Sequence, residues 1–435
     1  MTPLMYGLGV VLFVVGVAAS IGLHELGHMV PAKKFGVKVT QYFIGFGRTV
    51  WSRRRGETEY GVKAIPLGGY VKLVGMLPPG RDDEPGRLRK SNTGMFTQLI
   101  SDARAAEYES VEPGDEERLF YRLTWWKKAI VMSGGPMVNL VLAFLLFGGV
   151  FMLHGVLEPK TAVDDVSDCV IAASEATPDR TCTDADPLAP AKRAGLEHGD
   201  QILAFNGTEV TSWEQLTELI RANDDGNATI VYERDGEHRT TTTNTTVSPR
   251  RSLDDTDEFV EVGFLGVTPE FVLEKKGPVY VVTTMGDYTW QTLEALGTLP
   301  IKLWHVGRAA VGLEDRADDS PMSVVGASRV AGEISSDHEI PLGDRFIGLV
   351  MLLGAINLFV GMFNFIPLLP LDGGHIAGAL YEAVRRAFAK VFRRPDPGYF
   401  DVARLLPVAY VMAGAILLMS VVLIYADIVA PVQIG

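Results

Sequence analysis

Four stretches of this chain are long and apolar enough to cross a bilayer, and the first is broken by three ionisable side chains. Residues 4–30, 129–157, 346–371 and 405–428 each exceed the roughly 20 mainly apolar residues that a membrane helix needs. Lipid offers no partners to backbone N–H and C=O groups, so each stretch is expected to be helical. The first holds His24, Glu25 and His28. Such side chains are costly in lipid and are kept there mainly for function. A cleaved signal peptide would end near Ala18-Ala19-Ser20, but it would carry a basic leading region, and no Lys or Arg precedes Lys33. The stretch is read as a permanent span.

Charged residues still make up 21% of the chain, so soluble parts must accompany the spans. The formal net charge is −13 and no basic stripe with interleaved aromatics occurs, which argues against nucleic acid as a partner. Charge is distributed by segment. Residues 33–128 carry an excess of Lys and Arg, and the short loop 385–404 holds Arg385, Arg386, Lys390, Arg393, Arg394 and Arg404, whereas 158–344 is acidic. The positive-inside rule places the basic segments in the cytoplasm and the acidic one outside, with the short loop weighing most. Both chain ends then lie outside. Three Asn-x-Thr sequons, at Asn206, Asn227 and Asn244, fall in the outside segment.

Residues 279–313 place Trp290, Leu293, Leu296, Leu299, Leu303 and Val306 at near-helical spacing, with Lys302, His305 and Arg308 on the same helix. This is read as an amphipathic helix on the membrane surface. If it spanned instead, every later residue would change sides. The expected organisation is a first membrane half at 1–157, an outside domain at 158–278, the surface helix and a linker at 279–343, and a second membrane half at 344–435. Cys169 and Cys182, the only cysteines, lie close together in a polar segment. A disulfide is open to them but not required.

The ionisable residues of the first span form His24-Glu25-Leu26-Gly27-His28. On a helix the two His stand one turn apart on one face, so both imidazoles can bind one zinc ion. Glu25 projects beside them and can take a proton from water. Zinc in a catalytic site needs a third protein ligand and an open position. Residues 33–42 supply no His, Cys or acid, so that ligand comes from afar. The end of the third span offers Asn364-Phe-Ile-Pro367-Leu-Leu-Pro370-Leu-Asp372-Gly373-Gly374-His375. Pro367 and Pro370 break a helix and Gly373-Gly374 permits a tight turn. Irregular backbone at membrane depth must face protein or a polar cavity. Asp372 is the expected third ligand, with His375 second, and the competing reading of Asp372 is a helix N-cap. Residues 59–65 alternate like a strand, and Pro66 with Gly68-Gly69 is expected to turn it.

Taken together, these motifs resemble those of the site-2 protease family of intramembrane zinc metalloproteases. His24-Glu25-Leu26-Gly27-His28 is similar to the first family motif and Leu371-Asp372-Gly373 to the second, which in that family supplies the third ligand. Asn364 and Pro367 match its Asn-x-x-Pro element, used near the substrate. Gly135-Pro136-Met137-Val138-Asn139 resembles a further motif, and Ile65-Pro66-Leu67-Gly68-Gly69-Tyr70-Val71 resembles its re-entrant β element. The resemblance implies Zn2+ as cofactor, Glu25 as catalytic base, and Asn364, Pro367, Gly68 and Gly69 beside the substrate. It implies a polytopic α-helical membrane protein of about four spans, with the active site towards the cytoplasm. The expected substrates are single-span membrane proteins, cut within the bilayer.

Residues 187–239 resemble the PDZ domain inserted in such proteases, an α+β module that takes an extended peptide along a sheet edge. Peptide binding and steric exclusion of bulky substrates are both open to it. Residues 164–186 read as an acidic insertion, and 254–258 as a solvated loop. Two other functions compete. A membrane metal transporter would need ligands strung along the bilayer normal, and a non-catalytic PDZ scaffold would have no use for Glu25.

Overall fold

A computed structural model describes residues 3–79, 95–109, 111–174, 180–253, 259–317 and 319–432. They divide into two compact units, Met1–Val150 with Gly277–Gly435, and Phe151–Lys276.

The first unit begins with α1 (Pro3–Lys34), β1 (Val39–Arg55), β2 (Thr58–Leu73), α2 (Met95–Tyr108) and α3 (Trp125–Gly149). In the second unit follow β3 (Val156–Val166), α4 (Pro190–Ala194), β4 (Gln201–Phe205), β5 (Thr208–Glu209), α5 (Trp213–Arg221), β6 (Asn227–Arg234), β7 (Glu237–Asn244), β8 (Thr246–Arg251), β9 (Phe259–Phe264) and β10 (Val267–Glu274). The first unit resumes with α6 (Pro278–Ala310), α7 (Val324–Ser336), α8 (Leu342–Asn364), α9 (Asp372–Val391) and α10 (Leu406–Val429).

Among the described residues four helices are long and apolar enough to cross a membrane: Pro3–Lys34, Trp125–His154, Leu342–Asn364 and Val402–Val429. They are the four stretches expected from the sequence, with two shifts. Leu157 belongs to β3 rather than to the second span, and the third helix stops at Asn364 instead of reaching 371. Pro367 and the cis Leu369–Pro370 peptide lie in the turn that follows, where a helix would lack the N–H groups that Pro cannot supply. The di-glycine beyond the turn lets α9 start against it. A Cβ on Gly373 would fall 2.1 Å from the Ile366 carbonyl oxygen, and one on Gly374 2.7 Å from the Leu369 nitrogen.

Small residues also set the crossing of α1 and α3. A Cβ on Gly27 would lie 2.3 Å from the Gly134 oxygen, and one on Gly134 2.0 Å from the Gly27 oxygen, so the two backbones touch. Met29, Ala32, Val39, Phe120 and Val131 fill the core beside this crossing. A buried ion pair, Lys128 Nζ to Glu382 Oε2 at 2.7 Å, ties α3 to α9. Glu382 also accepts from the Phe400 N–H at 3.2 Å, so its charge is compensated on two sides.

β1 and β2 are long, bent and irregular in register. Gln41–Ile44 pairs with Glu59–Val62 and also with Gly69–Lys72, so β2 flanks the same segment of β1 twice. It must cross the end of that segment in between, where Gly68 has a φ of +93° and, on β1, Gly45 and Gly47 have φ of +90° and +87°. The turn expected at Pro66 and Gly68-Gly69 is thus a crossover inside one continuous strand.

The second unit is built on a sheet ordered β10-β3-β4-β6-β7, with β5 beside β4 and β8-β9 as a separate pair. Leu216 and Ile220 of α5 pack with Ile202, Phe205, Ile230 and Tyr232 of the sheet. Part of the stretch expected to be an acidic insertion, Asp164 to Val166, instead belongs to β3. Cys169 and Cys182 are disulfide-bonded. Residues 254–258, read as a solvated loop, lie outside the described residues.

Candidate metal centre and catalytic cavity

His24 and His28 project from the same face of α1, one turn apart, as their spacing requires. Their Nε2 atoms lie 3.2 Å from each other. Asp372 Oδ2 lies 3.4 Å from His24 Nε2 and 3.3 Å from His28 Nε2. All three donor atoms fall within 4.8 Å of one another. Asp372 is the first residue of α9, the N-cap position is taken by Leu371, and no side chain caps the helix. The carboxylate is turned to the imidazoles and not to its own helix end.

The outer nitrogens decide what the inner ones can be. His28 Nδ1 lies 2.8 Å from the Val131 carbonyl oxygen, which can only accept, so that nitrogen carries the proton. His24 Nδ1 lies 3.2 Å from Asn139 Oδ1 and donates in the same way. Both Nε2 atoms then point inward, facing each other and a carboxylate oxygen. Three such atoms this close together need a proton or a metal cation among them. Two imidazoles and one carboxylate, oriented by hydrogen bonds from behind, are a donor set that fits zinc.

Glu25 lies next to this cluster. The β2 backbone approaches it so closely that a Cβ on Gly69 would lie 3.0 Å from Glu25 Cγ and 2.9 Å from Ile21 Cγ2. A cavity of about 520 Å³ opens here, lined by His24, Glu25, His28, Asp372, Gly68-Gly69 and Asn364 among others. Gly69 to Val71 and Leu73 line it too, from the segment of β2 whose only strand partner among the described residues is Val39–Ile44 of β1. Of the residues expected near the substrate, Gly68, Gly69 and Asn364 line the cavity and Pro367 does not; Pro370 lines it as well. His375, the second choice for the metal, lines the cavity but is not one of the three clustered donors.

Sequence reasoning gave no role to two groups that hold the imidazoles. Asn139 was visible only as part of a motif, and the Val131 carbonyl carries no side-chain signal at all. It also gave none to Gly135, where a Cβ would fall 2.3 Å from His28 Nε2 and 2.7 Å from His24 Nε2.

A sequence model of peptidase family M50 matches residues 12–394. The zinc metalloprotease Rip1 of Mycobacterium tuberculosis is 32% identical over 456 aligned residues, which cover 99% of this chain and 100% of that one. The metalloprotease MmpA of Caulobacter vibrioides is 27% identical, with 86% of each chain covered. The zinc metalloprotease RasP of Oceanobacillus iheyensis is 24% identical, covering 86% of this chain and 91% of its own.

Proposed function

We infer the roles of individual residues from one premise: the chain belongs to peptidase family M50 and is a zinc metalloprotease of the intramembrane, site-2 type. It is a multi-pass membrane protein that acts on membrane proteins. His24, His28 and Asp372 hold the zinc, and Glu25 is the catalytic base. The observation that carries this reading is the convergence of two Nε2 atoms and one carboxylate oxygen, each imidazole fixed from behind. Zinc, when bound, supplies a Lewis acid that makes water more acidic and polarises a carbonyl. Glu25 takes a proton from the attacking water and later gives it to the leaving amine, so one carboxylate serves as base and then acid.

Substrate handling follows from the cavity wall. Peptide bonds in a membrane helix are hidden by their own hydrogen bonds, and the helix must open before it can be cut. The Gly69–Leu73 stretch of β2 offers a strand edge that pairs with an opened chain and replaces those bonds. This is the role proposed for Gly68 and Gly69, which let the strand pass over Glu25. Asn364 contributes a carboxamide at the end of α8, and Pro367 stops that helix so that Asp372 can turn inward.

The active site is assigned to the cytoplasmic side and the second unit to the outside, on the charge of the loops. Helix α6 is assigned to the outer membrane surface. In its first half Tyr288 packs on Phe147 of α3, and at its C-terminal end Val306 and Ala310 pack on Leu423 and Ala426 of α10. Both contacts are with the C-terminal ends of spans, which supports that placement. The second unit is proposed to be PDZ-like, with the outer edge of β10 taking an extended peptide.

The test is metal content. Purified, folded Asp372→Ala should lose zinc and activity together, whereas losing a favourable residue at a helix start would cost about 1 kcal/mol of stability and leave the metal in place. Full zinc occupancy in that variant would move the third ligand elsewhere, with His375 the next to examine.

A further inference from the structure

Asn357 sits in the middle of α8, two helical turns before Asn364, and is 1% exposed. A carboxamide here is costly unless its hydrogen bonds are made. Half of them are. Nδ2 donates to the Leu353 carbonyl oxygen at 2.8 Å and to Ser20 Oγ of α1 at 3.0 Å. The Leu353 carbonyl can only accept, which fixes the orientation of the amide. Oδ1 is then the atom left over, and it has no hydrogen-bond partner among the described residues. Asn357 and Ser20 both line the cavity that holds His24 and Glu25, and Ser20 lies one turn before His24 on the same helix.

A buried acceptor without a donor, beside a cavity built for an opened helix, matches what that guest brings. Unwinding a membrane helix frees backbone N–H groups that need acceptors. The strand edge of β2 meets one side of the opened chain. We propose that Asn357 is a further substrate-binding residue of this cavity, whose Oδ1 accepts a backbone N–H from the unwound segment of the substrate. The ligand chemistry is an extended amide backbone, so the site takes any side-chain sequence and reads only that the chain has opened. The other role for this residue, a cross-link between α1 and α8, uses Nδ2 alone and leaves Oδ1 without purpose. This inference rests on the protease reading above.

The experiment measures binding rather than turnover. A labelled single-span peptide with central glycines is titrated into full-length Glu25→Gln protein in detergent. A matching series replaces one backbone N–H at a time by an ester oxygen. One ester position should raise Kd about tenfold, the worth of a hydrogen bond to a buried amide. Adding Asn357→Leu should raise the Kd of the all-amide peptide by about the same factor and abolish the effect of that ester. Ser20→Ala, which removes only the α1 partner of Nδ2, should keep the ester effect. If Asn357→Leu does not fold, Asn357→Ala carries the same expectation. Additive ester and Asn357 effects, or an all-amide Kd within twofold of the parent, would overturn the proposal. Cleavage of the same peptide by the unmutated protein, with and without chelator, reports separately on the protease reading.

Discussion

Gly135 shows how much of this site depends on a side chain that is absent. In an exposed helix, Gly→Ala adds about 1 kcal/mol of stability by helix propensity. At this position the added Cβ would sit against both Nε2 atoms. Gly135→Ala is therefore expected to lower zinc occupancy and activity, because the imidazoles must shift from the positions that Val131 and Asn139 give them. Normal zinc content in that variant, measured on purified protein, would show that the imidazoles move aside freely. The residues best read from sequence are His24, Glu25 and His28, because a five-residue helical spacing is local. Asp372 was legible for another reason: it stands where Pro and Gly forbid a continuing helix, and polar groups at membrane depth need a purpose. Asn139, the Val131 carbonyl and Asn357 were not assigned these roles. Their partners lie on other helices, and only the crossing of α1 with α3 and α8 brings them together.

Among the elements, the helices were easier to place than the strands. An 18-residue apolar stretch has few alternatives to a spanning helix, and among the spans the only sizeable error was at the end of α8, where Pro367 acts earlier than the hydropathy suggests, whereas α2 and α7 were not foreseen. β2 was harder. Its alternation up to Ile65 was clear, but its two pairings with Gln41–Ile44 depend on glycines of another strand, Gly45 and Gly47, taking positive φ. The element makes its own prediction. A strand edge can pair only with an opened chain, so substrates whose central Leu residues are replaced by Gly or Pro should be cut faster, because those residues lower the cost of opening. A reporter series compared by initial rate checks this. Equal rates throughout would remove the strand-pairing role of β2.

For the whole molecule, loop charge predicts an orientation that no single helix can. The basic loop between α9 and α10 and the acidic second unit lie, on this account, on opposite sides of the membrane. Cysteines introduced near Asn227 should be labelled by an impermeant reagent in intact cells, and cysteines near Arg394 should not. The reverse pattern would place the second unit in the cytoplasm. Division into two units was legible from composition, since an acidic polar stretch interrupts the apolar segments. The exact strand order of the second unit was not, because the pairing of β10 with β3 joins the two ends of the unit.

The proposed reaction is attack of water on a peptide bond within the bilayer, with Glu25 as base beside zinc. It is tested most directly by cleavage of a single-span reporter in detergent by the unmutated protein and by Glu25→Gln, each with and without chelator and with zinc content measured. The account predicts cleavage by the unmutated protein alone, abolished by chelator and restored by zinc. It predicts Glu25→Gln with full zinc and a rate lower by about 10² to 10⁴, the usual worth of general acid–base catalysis. Undiminished turnover by zinc-loaded Glu25→Gln, or cleavage that survives removal of the metal, would contradict it.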